Sequence, residues 1–158
     1  MRVAVITVSD SVARSEHEDA SGPAVAARAA ELGWRVLSRH VVADEQQVLL
    51  LTLTALADKG ELDLILTTGG TGIGPRDVTP EATAEACAKL LPGIAEVMRE
   101  AGRRSTPRAV LSRAVAGVRG KTLVVNLPGH PRGAVESLDA VAELLPHAVA
   151  VLNGARHD

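Results

Sequence analysis

The segment Thr67-Thr68-Gly69-Gly70-Thr71-Gly72-Ile73-Gly74-Pro75-Arg76-Asp77-Val78-Thr79-Pro80-Glu81 packs four glycines into six positions. Glycine lets backbone amides come close to an anion and adopt positive φ, which together make a nest for phosphate oxygens. Neither common nucleotide loop fits. Pro75-Arg76 stands where a Walker loop needs Lys followed by Ser or Thr, and the glycines of Gly70-Thr71-Gly72-Ile73-Gly74 do not continue to the third spacing of the dinucleotide fingerprint. A tight strand-to-helix turn is the alternative, although one turn rarely needs so many glycines. Asp77 follows directly, and a carboxylate beside a phosphate cradle can hold a hard divalent cation that bridges phosphate oxygens. Asp44, in Val41-Val42-Ala43-Asp44-Glu45, ends a strand and could project toward the same rim or cap the next helix.

A second junction, Asn126-Leu127-Pro128-Gly129-His130-Pro131-Arg132-Gly133, leads from a strand into a helix. The free amides and positive dipole end of that helix, with the donor fork of Arg132, suit a phosphate or carboxylate. Proline at a helix start after a glycine turn is also common in ordinary folds. His130 can be read as a general base, a cap or a surface residue. Ser9, Asp10, Glu16, Glu18 and Asp19 make the first loop acidic, suited to a cation or an amine. Between Arg99 and Lys121 seven basic residues face one acid, Glu100, which reads as a solvated face or an anion-facing rim. Cys87, in an apolar pattern, reads as a small core residue.

These residues must be positioned by short β-branched runs that alternate with helical patterns. Strands are expected at residues 2–8, 34–42, 62–67 and 121–127, the third central because its apolar run is nearly continuous. Gly22-Pro23 opens a helix over 23–32 that Gly33 stops. A helix at 45–59 carries Val48, Leu51, Ala55 and Leu56 at helical spacing. Another starts from Thr79 as N-cap, with Pro80 and Glu81 in its first turn, and runs to about 91; the next covers about 94–104. Residues 9–21 read as a polar loop and 109–118 as a short strand pair. The last helix starts at Pro131, and Pro146 inside its stripe of Val135, Leu138, Ala142, Leu145, Val149 and Leu152 predicts a kink or a break. The result is a three-layer α/β/α sandwich with a mainly parallel sheet, residues 1–158 forming one domain. In such sheets ligands bind at the carboxyl ends of the strands, the address of the loops at 9–21, 69–79 and 128–133.

Composition narrows the function. With 158 residues, 46% apolar, and a net charge of -2, the chain is neither disordered nor a polybasic nucleic-acid binder. It has no Phe or Tyr and only Trp34 among the aromatics, so a base-stacking platform is excluded. The single Cys87 excludes an internal disulfide and thiolate-rich zinc sites. The apolar run before Ser9 is too short for a signal-peptide core or a membrane span, so a cytoplasmic protein is expected.

Thr7-Val8-Ser9-Asp10, Glu18-Asp19 with Ser21-Gly22-Pro23, the Thr-Gly-Gly-Thr-Gly…Pro-Arg-Asp-Val-Thr-Pro-Glu-Ala-Thr motif of residues 68–83, and Asn126-Leu127-Pro128-Gly129 together resemble the MoaB/Mog family of molybdenum cofactor biosynthesis proteins. That family includes the molybdopterin-binding G domains of plant Cnx proteins and of gephyrin, and the likeness spans essentially the whole chain. The resemblance implies a molybdopterin adenylyltransferase, in which the terminal phosphate of molybdopterin attacks the α-phosphorus of magnesium-bound ATP and pyrophosphate leaves. It implies Asp44 and Asp77 as catalytic carboxylates and ligands of Mg2+, and Gly69, Gly70, Thr71 and Gly72 against the nucleotide phosphates. Ser9, Asp10, Pro128, Gly129, His130 and Arg132 would form the molybdopterin pocket. A trimer or hexamer is implied, with a molybdenum insertase as partner and neither nucleic acid nor membrane. The family usually carries Ser-Pro-Lys after the Pro-Gly pair; His130-Pro131-Arg132 here changes both shape and donor geometry. Because the family also holds non-catalytic paralogues, a pterin-binding scaffold is the second reading.

Overall fold

The computed structural model describes residues 1–156. Strands β1 (Arg2–Val8), β2 (Arg35–Val42), β3 (Leu64–Thr68), β4 (Lys89–Leu90), β5 (Ala116–Arg119) and β6 (Thr122–Leu127) form one mixed sheet in the order β2-β1-β3-β6-β5-β4. The first four in that order pair parallel, and β5 and β4 extend the sheet through antiparallel pairings. The helices are α1 (Asp10–Ala13), α2 (Ser21–Glu31), α3 (Gln46–Asp58), α4 (Thr79–Ala86), α5 (Pro92–Arg103), α6 (Pro131–Val141) and α7 (Leu144–Leu152), with a 3-10 helix at Pro107–Leu111.

Alternation along the strands divides the apolar residues between two cores. Val3 and Val5 of β1, Leu64 and Leu66 of β3, and Leu123, Val125 and Leu127 of β6 pack on one face against Val25 of α2, Met98 of α5, Leu138 of α6 and Leu145 of α7. Ala4, Ile6, Ile65 and Val124 point to the other face, against Leu49 and Leu53 of α3 and Ala82 of α4. This is the expected three-layer arrangement, with β3 buried along its whole length.

Several local expectations are corrected. The loop at 9–21 contains the short helix α1, which Ser9 caps by accepting from the Val12 N–H at 3.3 Å. Helix α3 turns its apolar face differently: Leu49, Leu53 and Ala57 are buried, while Val48, Leu51 and Ala55 are exposed. The helix is apolar nearly all round, so spacing alone did not select the buried stripe. Helix α4 begins with Thr79 as its first helical residue rather than its cap and stops at Ala86, well short of residue 91. There pairing with β5 wins over helix propagation: Cys87 turns extended, the Ala88 N–H donates to the Val118 carbonyl at 2.8 Å, and Lys89 and Leu90 join the sheet. Cys87 is therefore not helical; it is half-buried beside Gly117, and burial pushes its thiol up to about 11. Residues 109–118 hold the end of the 3-10 helix and the start of one strand rather than a strand pair, since the Thr106 hydroxyl caps Pro107–Leu111 and β5 finds its partners in β6 and β4. The break at Pro146 is present. Helix α6 ends at Val141, because the proline ring clashes with the carbonyl four residues back, at Ala142, and Pro146 then falls in the first turn of α7.

Candidate functional site

Strand order reverses between β1 and β3, with β2 on one side and β6 on the other. Over the carboxyl ends of these strands lies a polar cleft of about 350 Å³, the position such sheets reserve for ligands. Its walls come from the end of β1 (Thr7, Val8), the segment that follows it (Ser9, Ser11, Glu18, Asp19), the turn after β2 (Asp44), the glycine loop (Gly69, Gly70, Asp77) and Gly129 after β6.

Each carboxylate is placed by backbone it does not belong to. Helix α1 swings Asp10 back to Asp44, and the two exchange bonds: the Asp10 N–H donates to Asp44 Oδ2 at 2.8 Å, and the Asp44 N–H to Asp10 Oδ1 at 3.0 Å. Asp44 is thus not a helix cap; Glu45 holds that place before α3. Arg76 reaches across from the glycine loop and grips Asp10 with two donors, both at 3.0 Å. That guanidinium holds the Asp10 carboxyl below the usual range, while burial, reinforced by the negative charges of Asp10 and Asp77, pushes Asp44 above it. Asp19 accepts from the Thr7 hydroxyl at 2.8 Å and from the Gly22 N–H at 2.9 Å, so it ties the end of β1 to the first turn of α2.

The glycine loop is built by close approach. At φ +104 Gly69 lies so near β1 that a Cβ would sit 2.3 Å from the Val8 carbonyl oxygen; at φ +65 Gly70 abuts the Thr79 hydroxyl, 2.3 Å from an equivalent Cβ. That hydroxyl donates to the Gly69 carbonyl at 2.9 Å, closing the loop onto α4. Asp77 Oδ2 accepts from the Gly74 N–H at 2.8 Å, which holds the carboxylate at the cleft.

The structure therefore brings Ser9, Asp44, Gly69, Gly70, Asp77 and Gly129 to one cleft, with Asp10 tied to Asp44 at its edge. Thr71 and Gly72 turn their carbonyls away to Arg113, whose N–H donates to the first at 2.8 Å and whose Nε donates to the second at 2.7 Å. Pro128, His130 and Arg132 line a different pocket, of about 390 Å³, whose walls include Met98 and Arg99 of α5, residues of the 3-10 helix and Ser137 of α6. There Arg132 Nε donates to Glu136 at 2.9 Å. The Leu127 carbonyl, which accepts from the Gly69 N–H at 3.1 Å, and the Pro128 carbonyl, which accepts from the Thr68 hydroxyl at 2.7 Å, link this junction to the glycine loop.

Several residues gain roles that the sequence reading missed. Asn126, fully buried, accepts from the Val115 N–H at 3.2 Å and donates to the Thr67 and Thr83 hydroxyls at 3.0 and 2.9 Å, pinning α4 to the sheet. Arg113, counted in the basic segment, is a clamp on the glycine loop rather than a solvated charge. In the same segment Arg99 donates to the Ser112 and Ala114 carbonyls, and Arg119 pairs with Asp58. Asp19 had a legible signal in its spacing of three from Gly22, typical of a residue closing a helix start. Arg113 had none, because its partners are some forty positions away in sequence.

Among the described residues no group of three or more His, Cys, Asp or Glu could hold a metal by itself. Asp44 and Asp77 nevertheless offer hard oxygen donors in one cleft, and Mg2+ is commonly bound by one or two carboxylates with substrate phosphates completing its shell. The donor set fits that ion together with a phosphorylated substrate, and it fits neither a thiolate nor an imidazole metal.

The family described as "Probable molybdopterin binding domain" matches residues 4–147. The chain is 40% identical to a protein of Helicobacter pylori J99 named molybdopterin adenylyltransferase, over 98% of this chain and 89% of that one. It is 35% identical to the Escherichia coli K12 protein of the same name, over 90% and 74%. Among solved structures it is similar to the molybdopterin biosynthesis enzyme MoaB of Thermus thermophilus, with a TM-score of 0.91 and 48% identity over 99% of both chains.

Proposed function

Because this chain belongs to the family of molybdopterin-binding domains matched over residues 4–147, we propose that it is a molybdopterin adenylyltransferase of molybdenum cofactor biosynthesis. Its reaction would take place in the cleft over β1 and β3. The observation that carries this reading is the convergence of Asp44 and Asp77 with the glycine loop on one rim.

In the proposed reaction an oxygen of the pterin's terminal phosphate forms a bond to the α-phosphorus of ATP. The bond from that phosphorus to the bridging oxygen breaks, and its electron pair leaves with pyrophosphate. A phosphate monoester is largely ionised at neutral pH, so the attacking oxygen needs no proton acceptor from the protein. What remains is positioning and charge neutralisation. Gly69 and Gly70 form the wall against the nucleotide phosphates, their lack of side chains allowing close approach, and Thr71 and Gly72 continue the loop behind them. Asp44 and Asp77 hold Mg2+, which when bound supplies charge neutralisation to phosphate oxygens. Ser9, Asp10 and Gly129 are proposed for the pterin end of the cleft, with Pro128, His130 and Arg132 extending it through the neighbouring pocket.

Incubation of the protein with molybdopterin, ATP and Mg2+ should release pyrophosphate, and Asp77→Asn should fold normally yet lose that release. The amide oxygen can still accept from the Gly74 N–H, but it cannot neutralise a cation. Pterin binding without any pyrophosphate would instead assign a non-catalytic scaffold. We also propose that residues 1–158 act as one domain in the cytoplasm, with a molybdenum insertase as partner; no helix of the described residues is long and apolar enough to cross a membrane. A homo-oligomer, trimer or hexamer, is proposed as the assembly. Exposed Leu37 and Val41 on the edge strand and Val48 and Leu51 on α3 are apolar surface available to be covered.

A further inference from the structure

Arg113 lines neither cavity. It lies between the 3-10 helix and β5, yet it fastens the glycine loop at both ends. Its N–H donates to the Thr71 carbonyl at 2.8 Å, Nε to the Gly72 carbonyl at 2.7 Å, and Nη2 to the Asp77 carbonyl at 2.8 Å, while Nη1 pairs with the Glu81 carboxylate in the first turn of α4. Between those ends the stretch is held by Arg76, whose exposed guanidinium bonds Asp10. Residues 73–76 are exposed, Ile73 by 71%, so no apolar burial fixes their path. Inside the loop, Asp77 and Gly74 bond each other, side chain to N–H and N–H to carbonyl. Because those bonds lie within the loop, they do not fix its place relative to the sheet, which is left to Arg113 and to the solvent-facing Arg76–Asp10 pair.

We propose that Arg113 is the positioning residue of the transfer site: by gripping the carbonyls of Gly72 and Asp77 it determines where the Asp77 carboxylate stands across the cleft from Asp44. This rests on the adenylyl-transfer reading of that cleft. A planar guanidinium directs several donors along fixed lines and can span two carbonyls and a carboxylate at once; a lysine ammonium is a point charge that cannot. The two carboxylates come from different loops, so their separation is set by such cross-links and by nothing in the local sequence of either loop.

The test uses Arg113→Met and, as the milder variant that keeps charge and stem, Arg113→Lys, both in the full chain. Hydrogen exchange of the Gly74 and Asp77 amides should quicken about tenfold or more, as local opening of an unpinned loop requires, while amides of β3 and β6 keep wild-type protection. Turnover should fall about 10²-fold, the scale of a misplaced catalytic geometry, with KM for both substrates little changed and a higher Mg2+ concentration needed for half-maximal rate. A residue that only supported folding would lower the melting temperature and leave turnover per folded molecule and the Mg2+ dependence where they were. That result, or unchanged exchange at Gly74 and Asp77, overturns the assignment. If the wild-type protein itself transfers no adenylyl group, the adenylyl-transfer reading fails; the exchange measurement then decides the role of Arg113 separately.

Discussion

Replacing Gly70 by alanine perturbs the site through one atom. The backbone there has φ +65, and the new Cβ would stand 2.3 Å from the Thr79 hydroxyl oxygen and 3.1 Å from Asp44 Oδ1. Left-handed backbone costs a residue with a Cβ about 1–2 kcal/mol. A carbon rests no closer than about 3.3 Å to an oxygen, so the Thr79 hydroxyl must move by about 1 Å. Thr79 is fully buried and donates to the Gly69 carbonyl; losing that bond in a buried setting costs about 1–3 kcal/mol. Stiffening of the unfolded chain returns about 0.4–1 kcal/mol. The net destabilisation is about 1–5 kcal/mol, which for a chain of this size lowers the melting temperature by roughly 2–20 °C. Thermal unfolding at matched protein concentration measures it. Gly93→Ala serves as the control, since a Cβ at Gly93 of α5 meets nothing within 4 Å and should be neutral or stabilising by up to about 1 kcal/mol. The double variant Gly70→Ala with Thr79→Ala isolates the cause: the Thr79 bond can be lost only once, so the pair should cost about 1–3 kcal/mol less than the sum of the singles. Full additivity, or a Gly70→Ala protein melting within about 2 °C of wild type, would refute the reasoning.

The Arg113 guanidinium holds the Glu81 carboxyl below the ordinary glutamate range, so the pair contributes stability that is fully present above the ordinary value near 4.3 and is lost as pH falls through the depressed one. Because both side chains are more than a third exposed, solvent screening limits the effect to about 0.2–1 kcal/mol; urea unfolding of wild type and Glu81→Gln should differ at pH 7 and converge as the pH falls through the depressed Glu81 range, and a gap that widens in acid would contradict the sign. For the proposed assembly, light scattering at micromolar concentration should give a trimer or hexamer, and Leu51→Asp, at a position 59% exposed, should weaken it without unfolding the chain. A monomeric wild type removes that proposal.

Much of the site was readable from spacing alone. Four glycines after an apolar run, followed by Asp77, mark a closely approaching backbone loop beside a carboxylate because local backbone chemistry is decided within a few residues. The layers were legible for the same reason: alternating strands and periodic helices advertise which faces must be covered, and β1 was readable to its last residue. Where the local signal is degenerate, reading failed. Helix α3 offers apolar residues on most sides, and only packing on Ala4, Ile6 and Ile65 picks out Leu49 and Leu53. Helix α4 could have continued past Ala86 but for the edge pairing of Lys89 and Leu90 with Gly117 and Val118.

The sequence by itself determined the layered α/β plan, the glycine loop and the identity of the acids, since these depend on side-chain period, φ preference and charge over short windows. Tertiary structure alone decided which of the named residues share a cleft. It separated His130 and Arg132 into the neighbouring pocket, tied Asp10 to Asp44 and brought Arg113 onto the carbonyls of Gly72 and Asp77. Those contacts join loops that are adjacent in space because parallel strands deliver all of them to one end of the sheet, and that adjacency leaves no trace in the spacing of residues along the chain.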